Sequence, residues 1–180
     1  VTGKKVMMVW SAHGRPYHWE AVGQHFGHDS VMLITRNRNP RDPHSDGSFS
    51  WVFMDTSMLA HEPNNWGRKD MDDFLQTMGG RDSGRVAVSS VYPGFDDRKA
   101  PWGGGWRYIP RYLEDGEVMA LTWDKNIRMA DQLDIPWIQI VTWNDWPEGS
   151  SVQPGTIDPS GDQDEPDFGY QALETCRRKI

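Results

Sequence analysis

Apolar positions along the chain fall in short, nearly continuous runs, each followed by a polar stretch rich in glycine and proline. The runs are Val6 to Trp10, Ser30 to Thr35, Phe49 to Met54, Arg85 to Val91 and Trp137 to Trp143. Runs of this length predict strands, and the lack of strict alternation predicts burial on both faces, as for parallel strands flanked by helices. Between the runs the apolar spacing changes to three and four. The clearest case is Thr122 to Asp134, where Trp123, Ile127, Ala130 and Leu133 fall on one face behind a threonine placed as an N-cap. Helices are also expected at Pro16 to Phe26, around Lys69 to Met78 and at Phe168 to Arg177. Strand and helix alternate and the chain ends in a helix, the order of a parallel α/β fold.

An eightfold barrel of strand-helix units takes about 250 residues. Five strands in 180 residues therefore predict a partial TIM-type (β/α) barrel, residues 1–180 forming one domain that is its C-terminal portion, with the first three strands missing. The chain starts at Val1 a few residues before a strand, in keeping with that expectation.

Composition narrows the function. A formal charge of -7 without a long Lys/Arg run argues against a nucleic-acid partner, which is gripped by neutralising phosphates. No apolar stretch approaches the roughly 20 residues of a membrane span. One cysteine, Cys176, excludes an intrachain disulfide and the Cys-rich metal spacings. The histidine pairs His13/His18 and His25/His28 only approach a His-x-x-x-His ligand spacing, so neither a metal nor any other cofactor is expected. The acidic stretch from Gly155 to Asp167 reads as a solvated loop. Ten tryptophans stand out, because a large apolar ring with one N–H donor suits sugar stacking as well as core packing.

The segment Ile138 to Gly149 concentrates the chemistry. An apolar strand runs into Thr142-Trp143-Asn144-Asp145-Trp146-Pro147-Glu148-Gly149, at a strand C-terminus where such barrels place their active sites. Pro147 and Gly149 favour a turn, which lets Asp145 and Glu148 face one cavity. A carboxyl pair of this kind serves glycoside hydrolysis, one protonated to assist the leaving oxygen and one ionised as base or nucleophile. The rings of Trp143 and Trp146 offer a low-polarity wall that raises the pKa of the acid and surfaces for stacking. A second cluster, Tyr92 to Arg98 followed by Pro101 to Trp106, ends another strand. Here Tyr92 is a candidate hydroxyl donor, and Trp102 and Trp106 a stacking platform or lid on a glycine-rich loop. The alternative is an Asp97-Arg98 surface pair on a merely flexible loop. His13, after the first strand, is a candidate sugar-hydroxyl ligand or a loop hydrogen bonder. Trp51 is either barrel core or subsite wall.

The run from Thr142 to Gly149, with Gln153-Pro154 and Phe168-Gly169-Tyr170, resembles the end of the barrels of glycoside hydrolase families 71 and 99. Phe49 to Val52 and Ser90 to Arg98 look like the sixth and seventh strands of that group. The resemblance implies that Asp145 and Glu148 are the catalytic carboxyls, Glu148 as general acid and Asp145 as base, with exchanged roles still open. It also implies that the cluster carrying Tyr92, Asp96, Asp97, Trp102 and Trp106 lines the sugar site; Trp143, Asn144 and Trp146 beside the carboxyls, with Trp51 and His13, are the further candidate sugar contacts. Family 99 comprises retaining endo-acting α-mannosidases with Glu at the first position, and family 71 α-1,3-glucanases with Asp there, as at Asp145. The expected substrate is an α-linked glucan or mannan, which favours a secreted or periplasmic setting. The rival expectation is a non-catalytic glycan-binding or polysaccharide-assembly protein on the same barrel.

Overall fold

A computed structural model of the chain describes residues 3–10, 18–27, 29–36, 45–53, 65–78, 85–98, 100–103, 107–133, 135, 137–155 and 169–180. In chain order the elements are β1 (Lys5–Val9), α1 (Trp19–Phe26), β2 (Val31–Thr35), β3 (Gly47–Phe49), α2 (Arg68–Met78) and β4 (Val86–Val91). Then follow β5 (Phe95–Asp96), β6 (Tyr108–Ile109), β7 (Tyr112–Leu113), β8 (Gly116–Glu117), α3 (Val118–Leu133), β9 (Trp137–Ile140) and α4 (Gln171–Lys179). Five strands form one wholly parallel sheet in the order β1-β2-β3-β4-β9, curled into half a TIM-type barrel with helices flanking it.

The register separates an inner face from an outer one. Val6 lies opposite Met32, Met8 opposite Ile34, Phe49 opposite Val88, and Val88 opposite Trp137, so these side chains share a face. Ile34, Phe49 and Val88 pack there with Met32, Trp51, Val86 and Trp137, a cluster made of side chains from the sheet strands and Trp51 just past β3. Helices cover the other face. Met71, Leu75 and Met78 of α2 pack with Ala87 and Tyr92, while Met119 and Trp123 of α3 meet Ala172 and Cys176 of α4 over Val91 and Val152. On β1, the inner-face residues Val6 and Met8 remain 48% and 44% exposed.

Two expectations need correction. The strand expected at Phe49 to Met54 lies earlier, at Gly47–Phe49, with one further ladder bond from the Ser50 amide to the Val88 carbonyl (2.9 Å). Gly47 permits this close pairing, since a Cβ there would sit 2.2 Å from the Val86 carbonyl oxygen. Thr122 is not an N-cap: α3 begins four residues earlier, and the Thr122 hydroxyl, inside the helix, donates to the Met119 carbonyl (3.1 Å). The buried stripe of α3 is accordingly rotated, with Val118, Met119, Thr122, Trp123 and Asn126 buried and Ile127 exposed. Asn126 is drawn inward by bonds from its amide to the Ser90 and Thr122 carbonyls (2.9 and 2.8 Å). After β4, Phe95–Asp96 pairs with Tyr108–Ile109, and Tyr112–Leu113 with Gly116–Glu117, in two small antiparallel ladders that no apolar run announces.

Among the described residues no helix is long and apolar enough to cross a membrane. Most of the acidic stretch Gly155 to Asp167 lies outside the described residues. Leu75 is wholly buried in the layer between α2 and the sheet. Leu75→Ala is expected to lower the unfolding free energy by about 2–5 kcal/mol, read as a lower urea midpoint at unchanged m-value.

Candidate active site

The sheet ends are tied together before they diverge into loops. The Ser50 hydroxyl donates to the Ser90 hydroxyl (3.0 Å), the Ser90 hydroxyl to the Trp51 carbonyl (2.5 Å), and the Gln139 amide to the Ser50 carbonyl. These bonds fix the C-terminal ends of β3, β4 and β9 against one another. Beyond β9 the chain enters a braced loop. The Thr142 amide donates to the Ser150 carbonyl (3.0 Å), the Val152 amide to the Thr142 carbonyl (2.9 Å) and the Gln153 amide to the Trp143 carbonyl (2.8 Å). The Asp145 amide donates to the Thr142 hydroxyl (3.0 Å), which starts the turn that Pro147 and Gly149 continue. Gly149 takes a φ of +61°, a conformation that suits glycine.

A second segment presses on this loop from β5. The Asp96 amide donates to the Glu148 carbonyl (2.7 Å), and a Cβ on Gly149 would lie 3.1 Å from the Asp96 nitrogen. Arg111, buried, donates through Nη2 to the Gly149 and Ser151 carbonyls (3.1 and 2.8 Å). The carboxylate-bearing turn is thus held from outside by backbone and guanidinium donors that recognise carbonyl oxygens.

Glu148 is half-buried, and its Oε1 accepts a bond from Trp102 Nε1 (3.2 Å). Withdrawal from water pushes its carboxyl above the ordinary carboxylate range. The Trp102 N–H acts downward, the Asp145 charge upward, Arg107 downward and Asp97 upward. Asp145 is half-buried on the same turn. A carboxyl whose pKa is raised, beside a second carboxyl, is an arrangement suited to general acid chemistry.

The other candidate residues fall into separate groups. Trp102 and Trp143 are 61% and 56% exposed, Asn144 is exposed and Trp146 is half-buried, all beyond the strand C-termini. Asp96 is buried, and its carboxylate takes Arg98 Nε and Nη2 (2.9 and 2.8 Å) together with the Arg98 amide (3.0 Å). The expected alternative of an Asp97-Arg98 surface pair is therefore incorrect: Asp97 is wholly buried and pairs with Arg107. Tyr92 lies in the core, its hydroxyl donating to the Trp66 carbonyl (2.7 Å), and burial pushes the phenol up. That donor is spent within the protein rather than presented at the loop mouth. Trp51 is half-buried, edge-on to Trp10 (4.6 Å between centroids), with the Arg36 guanidinium 3.8 Å over the Trp10 ring. His13 and Trp106 lie outside the described residues.

Arg107 and Arg111 were not among the residues singled out from the sequence. The available signal was a pair of adjacent aspartates after a buried strand, which needs cations close by, and two arginines flanking Tyr108-Ile109-Pro110. Among the described residues no three His, Cys, Asp or Glu side chains are grouped to hold a metal ion.

No family model matches the sequence, and no curated protein matches it. Solved structures do match in fold. A glycoside hydrolase family 99 endo-α-mannosidase from Bacteroides thetaiotaomicron superimposes with a TM-score of 0.61 at 15% identity, over 98% of this chain and 55% of that one. A structure of the family 99 endo-α-mannosidase from the same organism in complex with bis-tris propane gives 0.56 at 19% identity, over 98% and 58%. A glycoside hydrolase-like protein gives 0.58 at 12% identity, over 98% and 54%. The chain thus shares the barrel fold of these neighbours and spans a little over half their length.

Arg111→Met is expected to loosen the turn without unfolding the sheet. Amide exchange at Thr142, Val152 and Gln153 should speed by about tenfold or more, matching the roughly 1.5–3 kcal/mol of a charged hydrogen bond, while the amides of β4 stay protected.

Proposed function

We propose that this chain carries the carboxylate-bearing part of the active site of a glycoside hydrolase that cleaves an α-linked glucan or mannan. The observation that carries this reading is Glu148: a carboxyl with raised pKa, bonded by an indole N–H, sharing one turn with Asp145 beyond the C-terminal end of a barrel strand. The fold shared with family 99 endo-α-mannosidases supports it.

In this reading Glu148 gives its proton to the glycosidic oxygen as the C–O bond breaks, so that oxygen leaves as a hydroxyl with the bonding electron pair. Asp145 draws a proton from the group that attacks the anomeric carbon, either water or a hydroxyl of the sugar itself. Exposed Trp102 and Trp143 supply apolar faces for the sugar rings. The buried aspartates serve the scaffold: Asp96 pairs with Arg98 and Asp97 with Arg107. The half-barrel with its exposed inner-face residues Val6 and Met8 fits a role as the C-terminal portion of a closed eightfold barrel.

The test is release of reducing sugar from a panel of α-glucans and α-mannans by the parent protein and its Asp145→Asn and Glu148→Gln variants. Loss of about 10²–10⁴-fold is expected in Glu148→Gln with glycan binding retained. Glycan binding without release by the parent itself would instead identify a binding or polysaccharide-assembly protein. Because the acid acts while protonated, kcat/KM should fall as pH rises through the Glu148 pKa, along a limb that lies above the ordinary carboxylate range.

A further inference from the structure

Trp102 reaches Glu148 across 46 residues of sequence and does so from a stiff support. The Ala100 amide donates to the Asp97 carbonyl (3.1 Å) and the Gly103 amide to the Ala100 carbonyl (2.9 Å), so two successive turns carry the indole. Gly103 is required for this closure, because a Cβ there would sit 1.8 Å from the Asp97 carbonyl oxygen. The base of the turns is Asp97, wholly buried and paired with Arg107. Its neighbour Asp96 pins the Glu148 carbonyl. Donor and acceptor are therefore fixed to the same two residues. The Trp102 ring is 61% exposed, so core packing does not account for its position, while its one polar atom is engaged by the carboxylate.

We propose that Trp102 is a positioning residue for the acid, its indole N–H holding Glu148 Oε1 so that the transferable proton resides on Oε2. This deepens the hydrolase reading above and rests on it. An indole N–H donates and cannot accept, so the oxygen it holds is disfavoured as the site of protonation. The donor is also uncharged, which lets the carboxyl alternate between protonated and ionised forms. A guanidinium in that place would hold it ionised. Among the described residues, the charged groups acting on Glu148 are Asp145 on its own turn, Asp97 after β5 and Arg107 before β6, and the Arg107 charge is matched by Asp97. Arg98, nearby, is paired with Asp96, and Arg111 is bonded to loop carbonyls.

Two readouts test the proposal in the full protein. With 15N-labelled tryptophan, the Trp102 Nε1–H resonance, assigned by its loss in Trp102→Phe, should move with pH along one carboxyl titration, and that movement should vanish in Glu148→Gln. A resonance that stays still, or that moves equally in Glu148→Gln, overturns the contact. On the glycan that the sugar-release assay identifies, Trp102→Phe leaves a smaller aromatic face and removes the donor. Its alkaline limb in kcat/KM should move to higher pH by about half a unit, whatever the change in KM from the smaller stacking face, because the lost N–H bond favoured the ionised form. An unmoved limb overturns the positioning role. If Glu148→Gln keeps full activity, the assignment of Glu148 as the acid fails instead, and the resonance titration still decides whether the indole holds the carboxyl.

Discussion

One backbone hydrogen bond, from the Asp96 amide to the Glu148 carbonyl, joins the two halves of the candidate site. It links the short strand that follows β4 to the turn that follows β9, and each partner is itself braced. The Asp96 side is locked by the Arg98 chelate on its carboxylate, the Glu148 side by Arg111 on the next carbonyls. If this bond is displaced, the Trp102 indole and the Glu148 carboxyl lose their common reference, because Trp102 stands on turns rooted at Asp97. Buried charge makes the support rigid. Asp97 has no exposed surface, and leaving Arg107 would strand a carboxylate away from water at a cost of several kcal/mol.

The parallel α/β architecture was legible because its signal is local. Four of the five apolar runs begin within one residue of the start of a strand, and each expected helix overlaps an observed one. Failure came where a local signal competed with a distant one. Thr122 carries the chemistry of an N-cap, yet Val118 and Met119 pack into the core and extend α3 past it. The pairs β5/β6 and β7/β8 are two residues per strand, too short to leave an apolar run.

The candidate site shows the same division. Asp145, Glu148 and the turn between them could be read from one continuous segment, since strand, proline and glycine follow directly in the chain. The partners of that segment could not. Trp102 is 46 residues from Glu148, and Arg111 is 38 and 40 residues from the carbonyls it binds. Asp96 and Asp97 look alike in sequence, yet Asp96 faces Arg98 and Asp97 faces Arg107. Neither spacing nor composition separates two adjacent aspartates whose side chains take partners from different segments. Tyr92 is the complementary case. Its position beyond a strand suggested the mouth of the barrel, whereas its ring is enclosed and its hydroxyl bonded to Trp66.

The grip on the turn has a consequence for how this scaffold changes over time. Asp96 and Arg111 hold main-chain oxygens of Glu148, Gly149 and Ser151, atoms that every amino acid supplies. The shape of the turn is thereby uncoupled from the identity of the side chains at positions 145 and 148. Descendants of such a barrel are free to exchange one acid for another, or to lose both, without first having to re-evolve the loop that presents them.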